Sequence, residues 1–213
     1  MRVLALPGRP KALLFDLDST LYTNPAYAAF QDEALVGRLA RERGESPAAA
    51  RAALAGLRAA REASGGGRTS LGNLFAGLGV PIQTSVRWRE ELFRPAEWLS
   101  PDPRLDGTLA ALGKRFALAL VTNNPRSVGE LSLEALGVRG RFSLVVGLDD
   151  TLRSKPDPAP FAFAAKGLGL EPGDCVSVGD REDVDLRPAL ALGMGAVLVE
   201  GVEDVYALEA VLP

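Results

Sequence analysis

Ala12-Leu13-Leu14-Phe15-Asp16-Leu17-Asp18-Ser19-Thr20 is the stretch on which the fold turns. Four apolar residues in a row, closed by two carboxylates, read as a strand buried on both faces whose last residues emerge at the end of a sheet. Four further runs have the same character: Ala117–Val121, Ser143–Val146, Cys175–Val178 and Ala196–Val199. They are nearly continuous in Leu, Val, Ala and Phe rather than alternating, which suits strands covered by helices on both sides. Helical apolar spacing fills the segments Asp106–Lys114, Ser127–Leu136, Pro160–Leu168 and Leu186–Leu192, with Gly137 and Gly169 where helix-ending glycines belong. The expectation is an α/β fold with a parallel sheet of about five strands flanked by helices.

The segment between the first two of these strands differs in kind. Ala26–Arg43 and Pro47–Ala63 carry apolar residues three and four apart, and Ser46-Pro47 supplies a capping hydroxyl followed by proline at the first helical position. Gly44 closes the helix before it, and after Ser64-Gly65-Gly66-Gly67 two more helices are expected at Ser70–Leu78 and Thr84–Phe93. A segment of roughly 75 residues is far longer than a strand connection requires. The expected organisation is a core of residues 1–24 and 102–213, with an all-helical subdomain inserted at 25–101.

Composition removes whole chemistries. The 213 residues include no histidine and one cysteine. Ser-His-Asp and Cys-His nucleophile systems, phosphohistidine, a histidine-bearing zinc site and an internal disulfide are therefore excluded. Cys175 stands in the apolar run Cys-Val-Ser-Val and reads as a small buried hydrophobe. Acid–base and nucleophilic work falls to carboxylates, Lys, Tyr or Ser/Thr, and any metal should be a hard, oxygen-liking one. The net charge of −3 is spread over no long block of one sign, so nucleic-acid binding gains no support. No apolar run approaches the roughly 20 residues of a membrane span, and no signal-like start is present, so a cytoplasmic protein without membrane partners is expected.

Asp16 and Asp18 are two apart on an extended chain and point to the same side, where their mutual repulsion calls for a cation or a shared proton. Three further polar groups fall at or after the carboxyl ends of other strands, where α/β folds place their sites. Val121-Thr122-Asn123-Asn124 offers a hydroxyl and amides, Ser154-Lys155-Pro156-Asp157-Pro158 one ammonium, and Gly179-Asp180-Arg181-Glu182-Asp183-Val184-Asp185 a second acidic group behind a tight turn. Taken singly, each has an ordinary structural reading: a turn Thr/Asn, a surface Lys, an acidic loop. Together they supply an anionic nucleophile, a metal site, a positive group with hydrogen-bond donors, and an acid–base group, which phosphoryl transfer requires.

These four runs, in this order, resemble the motifs of the haloacid dehalogenase superfamily. The resemblance implies a Rossmann-like core and a magnesium-dependent phosphatase. It implies Asp16 as the nucleophile that takes the phosphoryl group, Asp18 as the acid–base residue, Thr122 and Asn123 as phosphate-binding groups and Lys155 as the charge-balancing lysine. It further implies Asp16, Asp180 and Asp18, the last through its carbonyl, as metal ligands, with Asp185 in support and Asp183 its competitor. The insertion is similar to the superfamily's helical (C1-type) cap, and Leu21–Pro25 with Leu99–Pro103 to its nucleotidase-like branch. Ser19 departs from the Gly or Asn more usual there. Asp18 argues against dehalogenation, which has no alkoxide to protonate. A sugar phosphomutase is the nearer rival, and a non-catalytic phosphate-binding protein the rival of another class. The expected partner is a small-molecule phosphate, the oligomeric state is left open, and Arg68 and then Arg61, beside the glycine loop, are the candidate selectivity residues.

Overall fold

The computed structural model describes residues 1–65 and 69–213. In chain order it runs β1 (Arg2–Ala5), β2 (Ala12–Phe15), α1 (Pro25–Arg43), α2 (Pro47–Ala63), α3 (Leu71–Gly77), α4 (Ile82–Leu92), α5 (Pro103–Leu112), β3 (Ala117–Val121), α6 (Arg126–Ala135), β4 (Leu144–Val146), α7 (Leu148–Thr151), α8 (Ala159–Gly167), β5 (Cys175–Gly179), α9 (Arg187–Ala191), β6 (Gly195–Leu198) and α10 (Val202–Tyr206). The sheet has six strands in the order β1-β6-β5-β2-β3-β4. Five are parallel and correspond to the five apolar runs. The sixth, β1, pairs antiparallel with β6 and escaped the sequence reading. It is a short edge strand with an outward arginine, exposed along half its length, so it lacks the continuous apolar signature of its neighbours.

β2 lies at the centre, paired parallel with β5 on one side and β3 on the other. Its four residues divide between two cores. Leu13 and Phe15 face a cluster with Leu105, Leu109, Leu133 and Val205, while Ala12 and Leu14 face one with Phe161, Ala164, Ala165 and Ala189. Truncating Phe15, which is fully buried, costs about 3–5 kcal/mol in such a setting. Gly137 and Gly169 adopt the left-handed conformation expected of helix-ending glycines, with φ of 75° and 69°.

The helices α1–α4 carry an apolar cluster of their own, with Leu35, Leu39, Leu54, Leu74, Phe75, Trp88 and Phe93, which Val128 of α6 joins. Their boundaries follow local chemistry: the Asn24 side chain accepts from Tyr27 N, Ser46 from Ala49 N, and Gly44 ends α1 at φ 65°. The buried Ser70 and Ser154 hydroxyls meet at 2.7 Å, and Ser127 donates to Glu90 at 2.9 Å, so these helices sit over the carboxyl ends of the strands. Among the described residues no helix is long and apolar enough to cross a membrane.

Candidate active site

Every core residue singled out from the sequence lies at or just beyond the carboxyl end of β2, β3 or β5, or in a loop that returns there. Asp16 N still donates to Val178 O of β5 at 2.9 Å, and Thr122 N to Val146 O of β4 at 3.0 Å. The sheet thus fixes both backbones up to the residue that carries the chemistry. Asp16 is 5% exposed and Lys155 1%. The Lys155 ammonium has three protons and meets three acceptors: Asp16 Oδ1 at 2.6 Å, Asp185 Oδ1 at 2.6 Å and Val121 O at 2.9 Å. An ammonium so enclosed is held in one place, which a surface lysine would not be.

Asp185, not Asp183, is the carboxylate brought into the site. A π-helical turn over Glu182–Leu186 carries Asp185 back over the sheet, and Ser177 Oγ donates to its carbonyl at 2.9 Å. Its Oδ2 accepts from Arg181 N at 3.2 Å. A side chain on Gly179 would bring its Cβ to 2.6 Å from Asp185 Cβ, so the glycine is a space requirement. Asp183 faces outward and pairs with Arg187 at 3.5 Å.

Carboxylate oxygens of Asp16, Asp180 and Asp185 lie within 4.8 Å of one another. Two buried oxygens in that group, Asp16 Oδ2 and Asp180 Oδ1, have no hydrogen-bond partner. Three carboxylates share Lys155 and the Arg181 guanidinium, which lies 3.7 Å from both Asp180 and Asp185. With all three ionised the cluster carries one negative charge in excess. Burial pushes Asp16 up to about 7 against the pull of Lys155, with Asp185 adding to the rise; burial and Asp185 push Asp180 up to about 6. An orphaned, electron-rich set of oxygens with no nitrogen or sulfur donor fits a hard divalent cation such as magnesium.

Asp18 belongs to a different environment. Its carboxylate is not among the three clustered ones. It accepts from Tyr22 OH, from Gln31 Nε2 at 3.2 Å and from Asn124 Nδ2 at 2.8 Å. With its side chain held this way, its carbonyl is the atom it can offer a metal. Ser19, where the chain departs from the family's usual residue, takes the left-handed conformation at φ 60° that Gly or Asn accepts more readily.

Two further residues are placed by their surroundings. Both ends of the Asn123 side-chain amide are engaged by the Lys155 backbone, accepting from its N at 2.8 Å and donating to its O at 3.2 Å. Asn123 therefore anchors the lysine loop at the wall of the cleft, and its neighbour Asn124 is the amide that reaches Asp18. Arg61 is exposed on α2 and lines a separate hollow with Arg153, Ser154 and Pro156. Arg68 lies outside the described residues. Thr122 is 2% exposed and its hydroxyl oxygen accepts from Asn124 N at 3.1 Å, leaving its proton to donate.

The cleft itself is a hollow of about 260 Å³, walled on the core side by Asp18, Ser19, Asn123, Asn124, Asp180 and Arg181 and roofed by Gln31, Asp32, Leu35, Ser70, Arg89 and Phe93 of the inserted helices. Tyr22, Gln31, Asn124, Arg181 and Arg89 were not read as site residues. Asn124, Arg181 and Tyr22 stood inside the quoted stretches; Gln31 and Arg89 carry no local signal, since only folding brings them to the cleft.

A buried carboxylate cluster around one ammonium, at the carboxyl ends of central parallel strands, marks an enzyme of the α/β class. Residues 10–193 match the haloacid dehalogenase-like hydrolases, and the chain belongs to that family. It is 30% identical over 207 residues to the phosphoglycolate phosphatase of Pectobacterium atrosepticum, an alignment covering 88% of this chain and 79% of that one. To the phosphoglycolate phosphatase of Escherichia coli K12 it is 34% identical over 125 residues, 55% of this chain and about half of the relative, at 49%. The crystal structure of a phosphatase of the family from Thermococcus onnurineus superposes with a TM-score of 0.60 at 28% identity, covering 89% of this chain and 86% of that one. Within its family the chain is an enzyme of the phosphatase type.

Proposed function

We propose that this enzyme hydrolyses a small phosphate monoester through a phosphoryl group held on Asp16, with phosphoglycolate the first candidate substrate. The observation that carries the reading is the Asp16 carboxylate: buried, fixed at Oδ1 by Lys155 and without a partner at Oδ2. An anion held this way is directed rather than solvated, as a nucleophile requires.

Asp16 attacks phosphorus as the bond to the ester oxygen breaks, while Thr122 and free backbone N–H groups of the strand-end loops take the phosphoryl oxygens and Lys155, holding Asp16, supplies positive charge beside them. Asp18, in its carboxylic acid form, gives its proton to the departing alkoxide, which leaves as an alcohol. The resulting Asp18 carboxylate then takes a proton from a water that attacks the phosphorylated Asp16, releasing inorganic phosphate and regenerating the carboxylate. Tyr22, Gln31 and Asn124 hold Asp18 in place through both steps. Asp16 and Asp180, with the Asp18 carbonyl and support from Asp185, are the groups that would hold magnesium. When bound, it supplies the positive charge that lets an anionic nucleophile meet an anionic phosphate.

The inserted helices, residues 25–101 in this reading, serve as the cap that covers the cleft and selects the leaving group. The names of the relatives support phosphoglycolate, and the small hollow supports a substrate of few atoms. Release of inorganic phosphate from phosphoglycolate, phosphoglycolamide and an aryl phosphate, with and without magnesium, tests the reading. Magnesium-dependent release is expected, strongest from phosphoglycolate; no release from any of the three overturns it.

A further inference from the structure

Two cations are buried in this protein beside the cleft, and they are not equally satisfied. Lys155 has an acceptor for each of its protons, two of them carboxylates. Arg89 on α4 is 5% exposed and has hydrogen-bond partners for Nη1 alone, the Ser85 carbonyl at 3.1 Å and the Ser85 hydroxyl. Among the described residues no carboxylate forms an ion pair with it. Among the described residues its Nε and Nη2 have no acceptor, and the side chain lines the same hollow as Asp18, Asn124 and Asp180. Burial pushes the guanidinium down to about 10, so it stays charged at neutral pH.

A buried guanidinium without a counter-ion is costly, and a fold retains one where a ligand completes it. Asp18 and Asp32 share the hollow and act on Arg89 through space, but Asp18 is taken by Tyr22, Gln31 and Asn124, and Asp32 also faces Arg51 and Arg58 across the adjacent hollow. The free edge of Arg89, two N–H donors in one plane, matches a carboxylate. At about 260 Å³ the hollow lies just below the usual ligand-pocket range of about 300–1,000 Å³, so the group it meets belongs to a small substrate.

We infer that Arg89 receives a carboxylate on the leaving group of the substrate and is the residue that sets selectivity for small carboxylated phosphate esters. This rests on the phosphatase reading above, with the phosphoryl group at Asp16 and the far end of the substrate under α4.

The test compares wild type with Arg89→Met on phosphoglycolate and on its uncharged amide, phosphoglycolamide. The variant should lower kcat/KM on phosphoglycolate by about ten- to a hundred-fold and leave the amide within about three-fold. Equal losses on both, or no loss on either, overturn the assignment. Should Arg89→Met not fold, the wild-type preference decides: phosphoglycolate must exceed the amide by about ten-fold or more in kcat/KM, and a ratio near one overturns it. Binding of phosphonoacetate, measured calorimetrically, separates the two readings. A wild type that hydrolyses none of these esters but binds phosphonoacetate at least about ten-fold tighter than Arg89→Met does would sink the phosphatase reading alone, whereas equal binding by both proteins sinks Arg89.

Discussion

Lys155 Nζ lies 2.6 Å from Asp185 Oδ1, the same distance at which it meets Asp16. Asp185 comes from a π-helical turn 30 residues further along the chain, and its carboxylate, 1% exposed, has no route to water. It is therefore a positioning residue: it fixes the ammonium that in turn fixes Asp16. Without Asp185 the lysine would keep only Asp16 and the Val121 carbonyl, and Asp16, the proposed nucleophile, would be held less firmly.

Removing the ammonium tests this arrangement. Lys155→Met keeps the length of the side chain but leaves Asp16 and Asp185 as facing buried carboxylates, which should cost about 3–5 kcal/mol of stability in denaturant titration. Adding Asp185→Asn to that variant should restore part of the loss, because one of the two unpaired charges is gone. A double variant no more stable than Lys155→Met would show that the two carboxylates do not share the lysine energetically. Phosphatase activity should be abolished in both.

The nucleophile assignment is tested by Asp16→Asn. The amide lacks the anion for attack, and turnover should fall by at least about a thousand-fold while the fold is kept. Thermal melting checks the fold, and phosphate release checks the activity. A freshly prepared variant, free of deamidation, that kept a tenth of wild-type activity would remove Asp16 from its role.

Gly179→Ala probes the space under the π-helical turn. Its new Cβ would sit 2.6 Å from Asp185 Cβ and 2.9 Å from its Cγ. Displacing that turn should cost about 1–3 kcal/mol and, by loosening Lys155, lower kcat more than it raises KM. An alanine variant with wild-type stability and kcat would show that the turn yields freely.

The legibility of this protein in its sequence divides along physical lines. Buried parallel strands must be apolar throughout, so all five showed themselves, whereas β1, half-exposed at the edge, could not. Asp16, Asp18, Lys155 and Asp180 announced themselves because short polar runs interrupted apolar ones at strand ends. Spacing left Asp183 and Asp185 equivalent; the close approach at Gly179 is what selects Asp185. Asn123 and Asn124 are likewise indistinguishable as letters, and differ because the Lys155 backbone passes beside one of them. Gln31 and Arg89 were illegible, since they are ordinary polar residues on amphipathic helices until those helices are laid over Asp18.

The acidic cluster also fixes how the protein responds to pH. Asp16 stands at about 7 and Asp180 at about 6 in the folded protein, both raised first by burial, against about 3.9 for a solvated aspartate. Between roughly pH 4 and 7 the folded chain keeps protons that the unfolded chain has released. Without metal, stability should therefore be greatest at the acid end of that window and fall as pH rises through it, by a few kcal/mol in all, as the proton on Asp16 is lost. A divalent cation bound to these oxygens would take the place of the protons. Its apparent affinity should rise across about pH 5 to 7, by up to about ten-fold per unit for each proton displaced, and level off above. Magnesium titrations in buffers of different ionisation heat measure both the affinity and the protons released, and denaturant titrations in chelator measure the stability. An affinity that stayed flat over that range, or a metal-free protein that gained stability towards pH 7, would show that the carboxylates are already ionised and balanced by Lys155 and Arg181 alone.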